Sequence, residues 1–362
     1  MDFWRKILLL AIIVLFTYIL YRLLLKRSAI LQKQRIEHFT PLMSGPSISS
    51  INMNSLTKSN GITDPSTAKQ LKQFFIKASY HTAYNGTDLS SSMIKYALNR
   101  GYRWLDFCTS DGTNVNYTTD DTFKEVQTTA TSVAFPEIFT QIFTHGFISP
   151  DSPNPRDPIF VQIRPLFSSD KSNNAMIMTQ IKGILDGLSS SYSTRVFSDR
   201  ITKTTTIDQL LGKVVIVMDT NNNTANDSDN KESSTNLNKL INISSNDNTF
   251  MTTIQQKQIS DISASIPMIL KDNFTTNPPV LIYQLLPTGS KSNSDVYSVI
   301  QKKGIQITPM AIWSNDSYLD NYEAIFNNAN AAIVPLSSVL RYAKANDPNL
   351  ISSSYPGAFS GK

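Results

Sequence analysis

Cysteine is almost absent: Cys108 is the single one in 362 residues. An intramolecular disulfide is therefore excluded, and the usage fits a reducing compartment. Histidine is nearly as scarce, with His38, His81 and His145 as the whole supply. Any reaction that needs an imidazole base and an imidazole acid must find both among these three. No basic stretch with interleaved aromatics occurs, so a nucleic-acid partner is not expected despite a formal net charge of +5. Charge is also missing from Ile7 to Tyr21.

That last absence reads as an anchor. With the Arg22 guanidinium snorkelling outward, the apolar stretch covers 7–25. At about 1.5 Å per residue it crosses a hydrocarbon core of roughly 30 Å with little tilt. Trp4, Tyr18 and Tyr21 lie near its ends, where amphipathic rings favour the headgroup zone. A cleaved signal peptide fits less well, because the run exceeds a usual h-region and Lys26-Arg27-Ser28 offers no small-x-small site. The expectation is one transmembrane helix over 7–25 after a short tail, 1–6, in a single-pass membrane protein. Arg22, Lys26, Arg27, Lys33 and Arg35 follow the span against Arg5 and Lys6 before it. The positive-inside bias puts the large domain on the cytosolic side, and the basic cluster suits contact with anionic lipid. Seven Asn-x-Ser/Thr sequons begin at Asn85, Asn116, Asn222, Asn226, Asn242, Asn273 and Asn315. In a chain this rich in Asn, Ser and Thr such triplets arise by chance and carry little weight.

Residues 26–68 read as a linker, basic and then Ser/Asn-rich, broken by Pro41, Gly45 and Pro46. The span 69–345 suits one large domain, with a short tail at 346–362. Within it strands and helices alternate. Strands are expected at Phe74–Ile76 leading to Ser79, at Tyr102–Cys108, Pro158–Ile163, Val214–Met218, Val280–Leu286, Ile305–Ile312 and Ala332–Val334. Helices are expected at Met93–Asn99, Pro136–Thr144, Ala175–Leu188, Val296–Lys302 and Tyr318–Phe326. Val214–Met218 is uniformly apolar, as a strand covered on both faces should be. The order implies an α/β fold with a parallel sheet, a TIM-like (β/α) barrel, regular or irregular. An Asn/Ser-rich insert at 220–248 reads as a mobile surface loop.

The working face of such a barrel is the C-terminal end of its strands. His81 follows the first strand, Asp106, Cys108 and Asp111-Gly112 lie on or after the second, and Arg164 ends the third. Each has a bland reading. A lone His is a satisfied structural group, Asp-Gly is a turn, Cys108 is a small packed residue, and Arg164 is a partner for a barrel carboxylate. Arg103 reads as a structural charge paired with Asp106.

Together these segments resemble a known family. Ala78-Ser79-Tyr80-His81-Thr82-Ala83-Tyr84 resembles the Ser-His-Asn-Thr-Tyr segment of phosphatidylinositol-specific phospholipase C X domains. Tyr96 through Asp106 is similar to that family's helix, Gly-x-Arg turn and next strand. Ala134-Phe135-Pro136-Glu137-Ile138-Phe139 through Phe147 is similar to its proline-Phe helix, and Asp157 through Arg164 to its third strand. Ala332 through Arg341 looks like a diverged closing element. The Asn-rich character, the anchor and Val115-Asn116-Tyr117-Thr118-Thr119 resemble most the diverged forms encoded by large DNA viruses.

The resemblance implies two histidines acting as base and acid on a phosphodiester, with calcium or an Arg neutralising the phosphoryl charge. This chain departs from that set. His81 matches the first histidine and Asp106 a second-strand carboxylate. Thr82 stands at the calcium-ligand Asn, Cys108 at the Asp, and Arg164 at the third-strand Glu. The second histidine is missing, since His145 falls on the far end of an expected helix. The residues to weigh as a catalytic set, vestigial or working, are His81, Asp106 and Arg164, with no cofactor and no metal. The leading expectation is a catalytically degenerate, membrane-tethered barrel that binds or builds, with a virion or other membrane-associated protein as partner. The alternative is a phosphoric diester hydrolase in which His81 is the base, Asp106 orients it and Arg164 holds phosphate. A third, receptor-like reading needs the opposite topology and glycans on the sequons.

Overall fold

Strand and helix begin to alternate at Phe74. The structure is a computed structural model that describes residues 48–52, 69–118, 129–168, 170–218, 237, 239–245, 250–256, 282–287 and 293–346, together with Tyr18, Tyr21 and Arg22. The span expected at 7–25 lies outside the described residues apart from those last three, as do most of the expected linker and the tail beyond Asn346. Among the described residues no helix is long and apolar enough to cross a membrane. Contacts divide the chain into Met1–Gly45 and Pro46–Lys362, and every described strand belongs to the second unit.

β1 (Phe74–Ile76) and β2 (Ala78–Ser79) are one extended run interrupted at Lys77. α1 (Ser92–Asn99) follows and ends where Gly101 takes φ +79°, a left-handed turn that a side chain would strain. β3 (Trp104–Thr109) is buried throughout. A small antiparallel pair, β4 (Asn114–Val115) and β5 (Val133–Ala134), leads into α2 (Phe135–Phe143), which carries Pro136 in its first turn. The α-helix ends within a residue of the expected boundary at Thr144. The chain continues as a π-helical turn, Thr144–Ile148, and Gly146 is there because a Cβ would collide with Ile159 at the start of the next strand.

β6 (Ile159–Pro165) precedes α3 (Lys171–Ser191), which starts earlier than its apolar pattern indicates because Asp170 caps it, accepting from the Ser172 N–H at 2.9 Å. A short α4 (Ile207–Leu210) then leads to β7 (Val214–Met218). β8 (Ile243–Ser244) falls inside the expected surface insert and pairs with β7 instead. Leu237, Ile241 and Ile243 are buried, and the Asn242 side chain is built in. Its Oδ1 accepts from the Ile216 N–H at 2.7 Å, and its Nδ2 donates to the carbonyls of Phe197 and Asp199.

β9 (Met251–Gln255) and β10 (Ile282–Leu286) form a parallel pair. α5 (Val296–Lys303), α6 (Ser317–Ala329), β11 (Ile333–Pro335) and α7 (Leu336–Asn346) complete the described elements. The strand expected over Ile305–Ile312 is reduced to single parallel bridges, Ile76 and Gln284 to Ile307 and Ser79 to Met310. Pro309 lacks the N–H that a continuous ladder needs. β11 is a strand as expected, but it runs antiparallel to β1. Three apolar residues after a helix carry no information on direction.

The main sheet is parallel, in the order β2-β3-β6-β7-β8. A closed barrel is not formed among the described residues. Among the described residues β8 and β9 share no ladder, and one hydrogen bond across that gap runs from Thr253 Oγ1 to the Ser245 carbonyl at 3.0 Å. Ile76, Ala78, Trp104, Phe160, Val215 and Ile307 belong to one apolar cluster that fills the interior. Above it lies a polar belt. Trp104 Nε1 donates to Gln162 Oε1 at 2.8 Å, Gln162 Nε2 donates to Gln284 Oε1 at 3.1 Å, and Thr253 Oγ1 reaches the same oxygen at 3.4 Å. These buried amides satisfy one another, which is the condition for placing them in a core.

Candidate functional site

His81 sits where β2 ends and turns over the top of β3. Its backbone is left-handed, φ 43°, which is uncommon for a residue with a side chain and costs on the order of 1 kcal/mol or more. Thr82 holds the turn. Its hydroxyl accepts from the Asp106 N–H at 2.9 Å and shares a 2.6 Å hydrogen bond with Ser79 Oγ, while its N–H donates to the Asp106 carbonyl.

Asp106 and Arg164 lie on adjacent strands, offset by two residues in the β3–β6 register. Arg164 Nε and Nη2 donate to Asp106 Oδ1 and Oδ2, both at 2.6 Å, and the His81 backbone N–H adds a third donor at 3.0 Å. This is a bidentate fork between two buried groups. Burial alone would lower the pKa of the guanidinium, but the charge and hydrogen bonds of Asp106 outweigh it and raise it. The Arg164 cation also lies 5.2 Å from the centre of the Tyr80 ring. The partner expected for Asp106, Arg103, is elsewhere. It donates to the carbonyls of Gly146 and Asn154, at 3.4 and 2.7 Å, and to Ser152 Oγ, near the N-terminal ends of the strands. That geometry is fixed by register, since Arg103 precedes β3 while Asp106 is the third residue of that strand.

The imidazole of His81 is buried, with the residue 1% exposed. Tyr80 lies 4.2 Å from its ring centroid, Tyr117 5.1 Å and Trp313 6.4 Å. Tyr84 stacks flat on Tyr117 at 3.6 Å and meets Trp313 edge-on, completing an aromatic roof. Nδ1 is 3.6 Å from Cys108 Sγ, and the ring also interacts with the Thr118 backbone, which acts to raise its pKa. Burial, then the charge of Arg164, push the His81 pKa down to about 3, against a smaller opposing pull from Asp106. The ring is neutral at pH 7. Cys108 donates from Sγ to the Asn116 carbonyl at 3.0 Å, and burial pushes its thiol up to about 12, so it is no nucleophile at neutral pH. Asp111 is a turn residue whose Oδ1 accepts from the N–H groups of Thr113 and Asn114.

His145 is not across the site from His81. It precedes Gly146, which packs against Ile159 and Arg103 at the beginnings of β6 and β3, the opposite end of the sheet. Among the described residues no three His, Cys, Asp or Glu side chains converge as a metal site. The positions matched to the family's calcium ligands do not suit that ion. The Thr82 hydroxyl is engaged in the turn, Cys108 is a protonated thiol, and Arg164 places a guanidinium, committed to Asp106, where a carboxylate ligand would stand. Sequence reasoning brought His81, Asp106 and Arg164 together but missed Tyr80, Tyr84, Tyr117 and Trp313. Two of those tyrosines flank His81 in sequence, and that spacing was the available signal.

PLC21 from S. officinalis superposes on this domain with a TM-score of 0.50, at 12% identity over 74% of this chain and 37% of that one. The fold is phospholipase C-like. PLC21 from L. pealei gives 0.47 at 12% identity with the same coverage of each chain. The phosphatidylinositol-specific phospholipase C of Listeria monocytogenes gives 0.42 at 11% identity over 77% of this chain and 99% of that one. The chain spans 37% of the length of the two PLC21 chains. No protein-family model matches it, and a comparison with curated proteins finds no match. At 12% identity the phospholipase C-like likeness concerns architecture, and the chemistry has to be read from the residues of this chain.

Proposed function

We propose that this phospholipase C-like domain does not cleave phosphodiesters and acts as a binding or structural component at a membrane. The observation that carries the reading is the Arg164–Asp106 fork closed by the His81 backbone N–H. It commits the carboxylate that would orient a base, and the cation that would meet a phosphate, to each other. The His81 imidazole is roofed over and has a depressed pKa, and the other histidine of the described residues, His145, lies at the opposite end of the sheet. Loss of one general acid typically costs about two to four orders of magnitude in rate. Attachment to a bilayer through residues 7–25, aided by Arg22, Lys26, Arg27, Lys33 and Arg35, is part of the proposal and rests on the apolar run and the charges after it. The resemblance to forms encoded by large DNA viruses favours an internal virion membrane, or the layer beneath a capsid, as the setting, with another membrane-associated protein as partner.

A second reading, a phosphodiesterase with His81 as base, is favoured by one feature: a histidine held on a strained turn at the strand ends. The full-length protein, incubated with phosphatidylinositol vesicles and with soluble glycerophosphodiesters, separates the two. No turnover above a no-protein control is expected. Turnover that disappears in His81→Ala would establish the hydrolase instead.

A further inference from the structure

Five residues inside the expected linker are docked on the domain. Ile48 is 3% exposed and sits in a socket over Gly101, where any Cβ would come within 2.9 Å of Ile48 Cδ1. The absence of a side chain at residue 101 is what makes the socket. Ser49 forms a parallel bridge with Ala331, its N–H donating to the Asn330 carbonyl at 3.1 Å and its hydroxyl to the same oxygen at 3.0 Å. The Ile51 N–H donates to Asp157 Oδ1 at 2.8 Å. Asp157 is buried, and its other oxygen accepts from Asn154 Nδ2 at 2.9 Å. Ile51 packs against the apolar cluster that fills the interior.

The three attachment points share a location. Gly101 precedes β3, Asp157 precedes β6 and Ala331 precedes β11, so the first two lie by the N-terminal ends of β3 and β6, and the bridge to Ser49 brings the third beside them. His81 is at the other end. The surrounding sequence, Ser47 to Asn60, is mostly Ser, Asn and Thr, and the apolar side chains seated here are Ile48 and Ile51. Solvated polar segments do not dock without an apolar anchor and paired backbone groups, and this one has both.

We propose that residues 48–52 are a latch that clamps the N-terminal approach of the chain to the floor of the domain, opposite the His81 face. The latch seats as a unit through Ile48 in the Gly101 socket and Ile51 on Asp157.

Cys108 is buried and is the only native thiol, so an introduced cysteine can be labelled alone. In the full chain, Ile48→Cys should react with a maleimide at least about tenfold more slowly than Met176→Cys, whose native side chain is 51% exposed. Adding Asp157→Ala should speed labelling at position 48 by roughly tenfold, as expected for loss of a hydrogen bond to a charged group, while Asp157→Asn, which keeps an acceptor oxygen, should speed it less. Far-ultraviolet circular dichroism checks that each variant is folded. A second measurement does not depend on Asp157. Ser49→Cys with Ala331→Cys, bridge partners whose Cα atoms are about 5 Å apart, should form an intrachain disulfide under mild oxidation, and Ser49→Cys with Trp313→Cys should not. Equal labelling at 48 and 176, or no disulfide in the 49/331 pair, overturns the proposal.

Discussion

Arg164 closes on both carboxylate oxygens of Asp106 from the neighbouring strand, within the sheet and out of reach of solvent. Two opposite charges in low dielectric gain from each other but have given up hydration, so the pair is expected to behave asymmetrically under mutation. Arg164→Ala or Asp106→Ala alone should cost about 3–5 kcal/mol, because each leaves a buried charge uncompensated. Replacing both by apolar residues of similar volume, Asp106→Leu with Arg164→Met, should cost much less than the sum. Urea denaturation of the two single variants and the double variant measures the coupling. Additive losses would show that the pair is not a unit.

His81 gives the domain an acid-sensitive component. Its folded pKa of about 3 lies below the ordinary histidine value of 6.5, so between those values the unfolded chain binds a proton that the folded chain refuses. Stability should therefore fall as pH drops through this window, by at most about 1.4 kcal/mol per pH unit from this one group. His81→Gln should flatten the difference curve between the ordinary value of 6.5 and the folded value of about 3, relative to the unmodified protein. Thermal midpoints of the two proteins across that range test it.

Trp313 and Tyr84 roof the imidazole, so removing them should admit reagents. Diethyl pyrocarbonate should modify His81 slowly in the native chain and about tenfold faster in Trp313→Ala, since protection here comes from local packing rather than global unfolding. With three histidines in the chain, peptide mapping assigns the site. Equal rates would mean that the roof does not exclude solvent.

Cys108 should be silent toward Ellman's reagent in the folded protein and react fully in denaturant. Its thiol is buried, donates to the Asn116 carbonyl and is pushed up to about 12 by burial. Rapid native reaction would show that the site opens on its own.

Much of the architecture was legible from largely apolar runs. Val214–Met218 and Pro158–Ile163 read as covered strands and are so, because burial on both faces leaves a mark on composition alone. What failed to show is whatever depends on a partner far along the chain. The direction of β11 and the strand β8 inside a polar insert are of this kind, as is the docking of Ile48. Each is decided by the surface it meets, and two or three apolar residues among Ser and Asn do not announce that surface. For the site, their places at the expected strand ends and the family resemblance put His81, Asp106 and Arg164 near each other. It paired Asp106 with Arg103 because the two are close in sequence. The ladder between β3 and β6 brings Arg164 next to it instead.

The amide of Asn242 carries a last implication. Both hydrogens of its Nδ2 are spent on the carbonyls of Phe197 and Asp199, and its oxygen anchors Ile216. A sugar attached at that nitrogen would take one of the two donors and wedge β8 away from β7. Carbohydrate at this sequon and the native sheet are mutually exclusive, so folding at this corner requires that position to stay bare.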